Sequence, residues 1–138
     1  MRSVQRSIET PLCEVFHFGD SQQSSNSLAS LVLEGKKRAT TSLLLEDESS
    51  DSLPKVGELA IVTNWYGEPL CIIETSSVEV KPFKDVDADF AAAEGEGDGS
   101  LSYWQAVHWK FFKSLCKTIG RSPEMLVICE QFHVVFSG

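Results

Sequence analysis

The chain has 138 residues, 42% hydrophobic and 23% charged, with 20 acids against 12 bases for a net charge of −8. That is one domain, too apolar to be disordered and large enough to bury about two-thirds of its unfolded surface. The acidic balance excludes a protein that lives by non-specific adhesion to nucleic acid, so DNA is not an expected partner, and no apolar run reaches the ~20 residues of a membrane span.

Residues 1–15 read as a variable leader that packs loosely or as an edge. Met1–Thr10 lacks the apolar core of an export signal, so the expected location is cytoplasmic. Phe16-His17-Phe18-Gly19-Asp20 leads into a helix that Asp20 or a following serine caps. Leu28, Leu31 and Val32 give it helical spacing, and Gly35 stands where a C-terminal glycine belongs. Ala39–Leu45 reads as a strand, Glu46–Ser52 as an acidic loop, Leu59–Thr63 as a second strand, and Pro69–Val80 as a long third. A short helix over Asp85–Ala93 precedes a loop carrying Glu94, Gly95, Glu96, Gly97, Asp98 and Gly99.

Ser100 caps a longer helix to about Lys117, with Leu101, Trp104, Val107, His108, Phe111 and Leu115 on one face, stopped by Gly120 and Pro123. Met125–Phe136 alternates as a final strand. The short loops between the first three strands favour antiparallel pairing, and sheet with helices outside gives an α+β fold closed into a small barrel. The cysteines at 13, 71, 116 and 129 form no C-x-x-C pair; Cys71 and Cys129 lie in strand-like runs, as reduced core thiols would. No spacing of a metal site or of a cofactor motif is present.

Three local patterns could carry chemistry. In Gly35-Lys36-Lys37-Arg38-Ala39-Thr40, cations at a helix end run into a hydroxyl-bearing strand. If Lys37 and Thr40 point to one side, an amine meets a hydroxyl, and lysine serves as its base only if burial lowers its pKa. The plain alternative is a solvated helix terminus. The glycine-spaced acids Glu94 and Glu96 are either a loop surface or, facing the Lys36–Arg38 cluster, the other half of a site. On the long helix Trp104 and Phe111 suit the core and His108 a buried, hydrogen-bonded place, whereas Tyr103 and Trp109 could stack on a base.

Taken in order, Phe18-Gly19-Asp20-Ser21, the Gly35–Thr40 segment, Leu53-Pro54-Lys55-Val56-Gly57-Glu58, Phe90–Asp98, Ser100-Leu101-x-Tyr103-Trp104-x-x-x-His108 and Val127-x-Cys129-Glu130-x-Phe132 resemble the ASCH domain of the longer bacterial type, over about residues 16–136. The resemblance implies a PUA-like fold, a small and mostly antiparallel β-barrel flanked by helices, with RNA or a modified nucleoside as partner. A shorter branch of the family hydrolyses the amide of N4-acetylcytidine with a Lys, Thr and Glu set, a mechanism that needs no metal or other cofactor; some longer members are reported as ribonucleases. The Lys and Thr of that branch fall on Lys37 and Thr40, and its Glu on either Glu94 or Glu96, with Glu96 preferred by its offset from the alanine run. Lys36, Arg38, Glu94, Tyr103 and Trp109 would line the ligand site. A non-catalytic RNA-binding module and a ribonuclease using the same cleft are the alternatives. On the hydrolase reading Lys37→Ala should abolish deacetylation of N4-acetylcytidine and leave the melting temperature nearly unchanged.

Overall fold

The computed structural model describes residues 2–6, 13–44, 53–115 and 125–137. In chain order the elements are β1 (Arg2–Arg6), β2 (Cys13–Phe18), α1 (Gln22–Leu33), β3 (Ala39–Leu43), β4 (Leu59–Thr63), β5 (Pro69–Pro82), a 3-10 turn (Phe83–Asp85), α2 (Ala88–Glu94), α3 (Leu101–Leu115) and β6 (Leu126–Ser137). The strands form one six-stranded sheet in the order β1-β2-β4-β5-β6-β3. It curls into a half-barrel, and with the helices it makes the expected α+β, PUA-like fold. No helix among the described residues is long and apolar enough to cross a membrane. The acidic loop at 46–52 and the helix stop at Gly120 and Pro123 lie outside the described residues.

Two pairings differ from the sequence expectation. β3 does not join β4; it pairs antiparallel with β6, at the opposite end of the sheet order. β4 pairs antiparallel with β5, as a hairpin should, and on its other side runs parallel to β2. Parallel neighbours need a long crossover, and α1 with β3 fills that part of the chain. Of the stretch read as a leader that packs loosely or as an edge, the described residues are strand: β1 (Arg2–Arg6) forms the sheet edge, and Cys13–Val15 belong to β2, held between β1 and β4.

The sheet is covered on both faces at the β3–β6 end, and this places the site. On one face Phe16, Phe18, Val32, Val62, Cys71, Ile73 and Phe132 form a core under α1. On the other, Ala39, Val127 and Cys129 meet Phe90 of α2 and Trp104 and Phe112 of α3. Side chains alternate along β6, so Val127 and Cys129 serve the second core and Phe132 the first. The buried stripe of α3 is Trp104, His108 and Phe112, four residues apart. Phe111, expected in that stripe, is only partly buried at its margin, because the helix turns the i, i+4, i+8 line toward the sheet. Cys71 and Cys129 are buried free thiols; burial raises both, Cys129 to about 12.

Candidate functional site

Local capping chemistry aims the cationic segment. Ser21 caps α1, sharing reciprocal hydrogen bonds with Ser24. At the other end Gly35 takes a left-handed φ of 79°, its N–H donating to the Val32 carbonyl while the Lys36 N–H donates to that of Leu31. This is a Schellman closure, and it throws the chain off the helix into an extended run. Extended backbone alternates its side chains, so Lys36 and Arg38 are exposed while Lys37 turns inward and is 1% exposed.

The acidic segment closes against it. Asp87 caps α2 through the Phe90 N–H, and Gly95 ends the helix at φ 70°. A Cβ at Gly95 would collide with the Lys36 carbonyl, so only glycine lets the end of α2 lie on the Lys36–Lys37 backbone. The contact is sealed by the Arg38 N–H donating to the Ala93 carbonyl.

Lys37 Nζ then meets three acceptors. It donates to the Ala39 carbonyl at 2.9 Å, to Glu96 Oε2 at 2.9 Å and, at 3.5 Å, to the Glu94 carbonyl. The Phe18 ring centroid lies 5.5 Å away, a favourable cation–π distance. The Lys37–Glu96 contact is a charge-assisted hydrogen bond on a group withdrawn from water. An ammonium in this setting is part of the fold, which overturns the expectation that Lys37→Ala would leave stability unchanged.

Glu94 lies deeper, 1% exposed. Its Oε1 accepts from Thr41 Oγ1 at 3.1 Å and sits 4.0 Å from Lys37 Nζ; its Oε2 accepts from Trp104 Nε1 at 3.1 Å. His108 Nε2 comes within 3.0 Å of the same Oε2, off the line of a hydrogen bond, while Nδ1 is 2.9 Å from the Trp104 carbonyl. Both ring nitrogens thus face acceptor oxygens, and the ring stacks on Trp104 at 4.3 Å. Burial by itself pushes the Glu94 carboxyl up, but the Lys37 charge and the His108 contact outweigh it and hold it at about 2.

Thr40 is 3% exposed, and its hydroxyl has no hydrogen-bond partner among the described residues. Lys37 Nζ donates to the carbonyl of the peptide that joins Ala39 to Thr40. Outside this buried cluster lies an open cleft of about 480 Å³, with Gly35, Lys36 and Arg38 on one lip and Gly95, Gly97 and Asp98 on the other. Tyr103 stands beside it, its ring against Gly97 and 41% exposed. Trp109 packs partly buried on the core, its ring 5.5 Å from Phe83. The structure therefore brings together Lys37, Glu94 and Glu96, with Lys36, Arg38 and Tyr103 at the rim.

Sequence reasoning did not single out Thr41, which the alternation of β3 turns toward Glu94. Nor did it single out Glu130, 5% exposed on β6. An acid between the core positions Ile128 and Phe132 was the available signal for the latter, since a carboxylate on that face must be buried with partners. Among the described residues no three His, Cys, Asp or Glu side chains gather as a metal site.

A family profile described as "ASCH domain" matches residues 14–136. Two solved structures are similar over most of the chain. An ASCH domain from Lactobacillus crispatus JV V101 is 41% identical with a TM-score of 0.81, covering 88% of this chain and 79% of that one. A protein from Enterococcus faecalis V583 is 38% identical with a TM-score of 0.77, covering 89% and 76%. Nothing among curated proteins matches the sequence.

Proposed function

The chain belongs to the ASCH domain family, and on that footing we propose that Lys37, Thr40 and Glu96 form a hydrolytic site for a modified nucleoside, cleaving an amide of the N4-acetylcytidine type. ASCH domains are generally RNA-binding, and the exposed Lys36 and Arg38 at the cleft rim suit a ligand that carries a ribose or phosphate. The observation that supports the catalytic reading is the buried Lys37–Glu96 contact, with a buried threonine hydroxyl that has no hydrogen-bond partner among the described residues three positions along the chain from Lys37.

The chemistry runs on this chain's own groups. Lys37 passes a proton to Glu96 and becomes a neutral amine. That amine takes the Thr40 proton as Oγ1 attacks the acyl carbon, forming a tetrahedral oxyanion. As the carbon–nitrogen bond breaks, the Lys37 ammonium returns a proton to the leaving amine, giving cytidine and an acyl-threonine. Water, deprotonated by Lys37, then attacks the acyl-threonine; as the carbon–Oγ1 bond breaks the Lys37 ammonium returns that proton to Thr40 Oγ1, the carboxylic acid leaves, and Glu96 hands its proton back to Lys37. Glu96 is suited to the shuttle because its side chain bonds Lys37 at 2.9 Å and is 19% exposed.

Purified protein incubated with N4-acetylcytidine should release cytidine and acetate, and Lys37→Arg, which keeps the charge and gives up the base, should release neither. No cytidine from the wild type would contradict the reading. A second reading, a non-catalytic RNA module, is favoured by the exposed cations and Tyr103 at the rim. It requires single-stranded RNA binding that weakens steeply with salt. The charge of −8 counts against long RNA.

A further inference from the structure

Two carboxylates flank the Lys37 amine, and the chemistry above uses one of them. Glu96 Oε2 lies 2.9 Å from Nζ. Glu94 Oε1 lies 4.0 Å from it, and the Glu94 carbonyl accepts from the same Nζ at 3.5 Å. Glu94 is buried, and the open cleft is lined by its neighbours Ala92, Gly95 and Gly97 instead. Any part that Glu94 takes in the reaction therefore runs through Lys37.

The surroundings of the two acids separate their roles. Thr41 Oγ1 donates to Glu94 Oε1, Trp104 Nε1 donates to Oε2, and His108 Nε2 stands 3.0 Å from that same Oε2. These groups come from β3 and α3, so the carboxylate is clamped between two elements. Cys129 of β6 is near enough to feel its charge, but burial lifts that thiol to about 12 and keeps it neutral. Donors on both oxygens weaken a carboxyl's hold on a proton, and with the Lys37 charge they hold Glu94 at about 2 against the effect of burial. The Glu96 carboxylate, by contrast, is partly exposed and bonds Lys37 itself. A proton leaving the amine goes to Glu96, while Glu94 stays charged. A negative charge fixed beside the neutral amine makes it a stronger base.

We propose that Glu94 is a positioning residue of the hydrolytic site: a permanent carboxylate, clamped by Thr41 and Trp104, that holds the Lys37 amine in place, strengthens it as a base and leaves proton exchange to Glu96. The proposal rests on the hydrolase reading above.

The pH profile of N4-acetylcytidine hydrolysis by the wild type, Glu94→Gln and Glu94→Asp tests this. Turnover needs a proton on the Lys37–Glu96 pair for the leaving amine, so kcat falls at high pH as that proton is lost. An amine deprived of a neighbouring negative charge gives up its proton more readily. In Glu94→Gln the alkaline limb of kcat should move to lower pH by about one pH unit or more, with KM changed less than about twofold because Glu94 does not touch substrate. Glu94→Asp keeps the charge and should return the limb toward its wild-type position. A role in folding alone would lower kcat by one factor at every pH and overturn the proposal. Should Glu94→Gln fail to fold, the carboxyl carbon resonance of Glu94 in the wild type should be that of a carboxylate at every pH of turnover; a protonated Glu94 in that range overturns the proposal. An unmoved limb in folded Glu94→Gln also overturns it while leaving wild-type hydrolysis intact. A wild type that releases no cytidine overturns the hydrolase reading and this role together.

Discussion

Lys37 Nζ lies 2.9 Å from Glu96 Oε2, although 59 residues of chain separate them. Lys37 is fully withdrawn from water, and it also faces the equally buried Glu94 at 4.0 Å. Removing one partner of a buried pair leaves the other charge uncompensated, at a cost of about 3–5 kcal/mol. Lys37→Met should therefore lower unfolding free energy by that amount in urea titrations. Glu96→Gln should cost only about 1 kcal/mol, because its side chain is partly exposed and the amide oxygen still accepts from Lys37. Equal losses in the two variants would mean that the lysine is not the buried member of the pair.

Glu94 sets the acid limit of the fold. Its carboxyl falls from 4.5 to about 2 on folding, as the Lys37 charge and His108 overcome the opposing effect of burial. The unfolded chain thus binds this proton more readily than the native state. The stabilisation is complete above about pH 4.5 and is lost as pH falls toward 2, a total of roughly 3 kcal/mol. Glu94→Gln should be less stable than wild type at pH 7 but flatter between pH 5 and 2. Parallel slopes for the two proteins in denaturation series across that range would remove Glu94 from the account.

Gly95 is the point where the cationic and acidic segments touch. Gly95→Ala forces a left-handed φ on alanine, worth about 1–2 kcal/mol, and drives its Cβ into the Lys36 backbone. The joint should open and the Lys37–Glu96 contact lengthen. The measurable result is a lower melting temperature together with faster hydrogen exchange at the Arg38 N–H, which is bonded to the Ala93 carbonyl. Gly97→Ala should be milder, since the atom it meets is the side chain of Tyr103 rather than backbone.

Much of the secondary structure was legible because its signals are local. Ser21 and Ser100 cap where serines preceding apolar periodicity should, and Gly35 closes α1. Strand partners were not legible in the same way. Nothing in Ala39–Leu43 distinguishes β4 from β6 as a neighbour, and the choice of β6 depends on two cores meeting across the sheet. β2 escaped notice because its leading residues show no clean alternation and its parallel partner lies beyond α1 and β3. At the site, Lys37 and the acidic loop stood out as unusual chemistry at special backbone positions. The depth of each acid did not, because the left-handed turn at Gly95 decides that Glu94 goes inward and Glu96 to the margin.

The most direct test concerns Thr40. Its hydroxyl is buried without a partner, so Thr40→Val removes an unsatisfied polar atom and should leave the melting temperature unchanged or raised. If Oγ1 is the nucleophile, the same substitution should cut turnover of N4-acetylcytidine by about a thousandfold or more. A well-folded Thr40→Val protein that turns over the nucleoside at the wild-type rate would contradict the catalytic assignment.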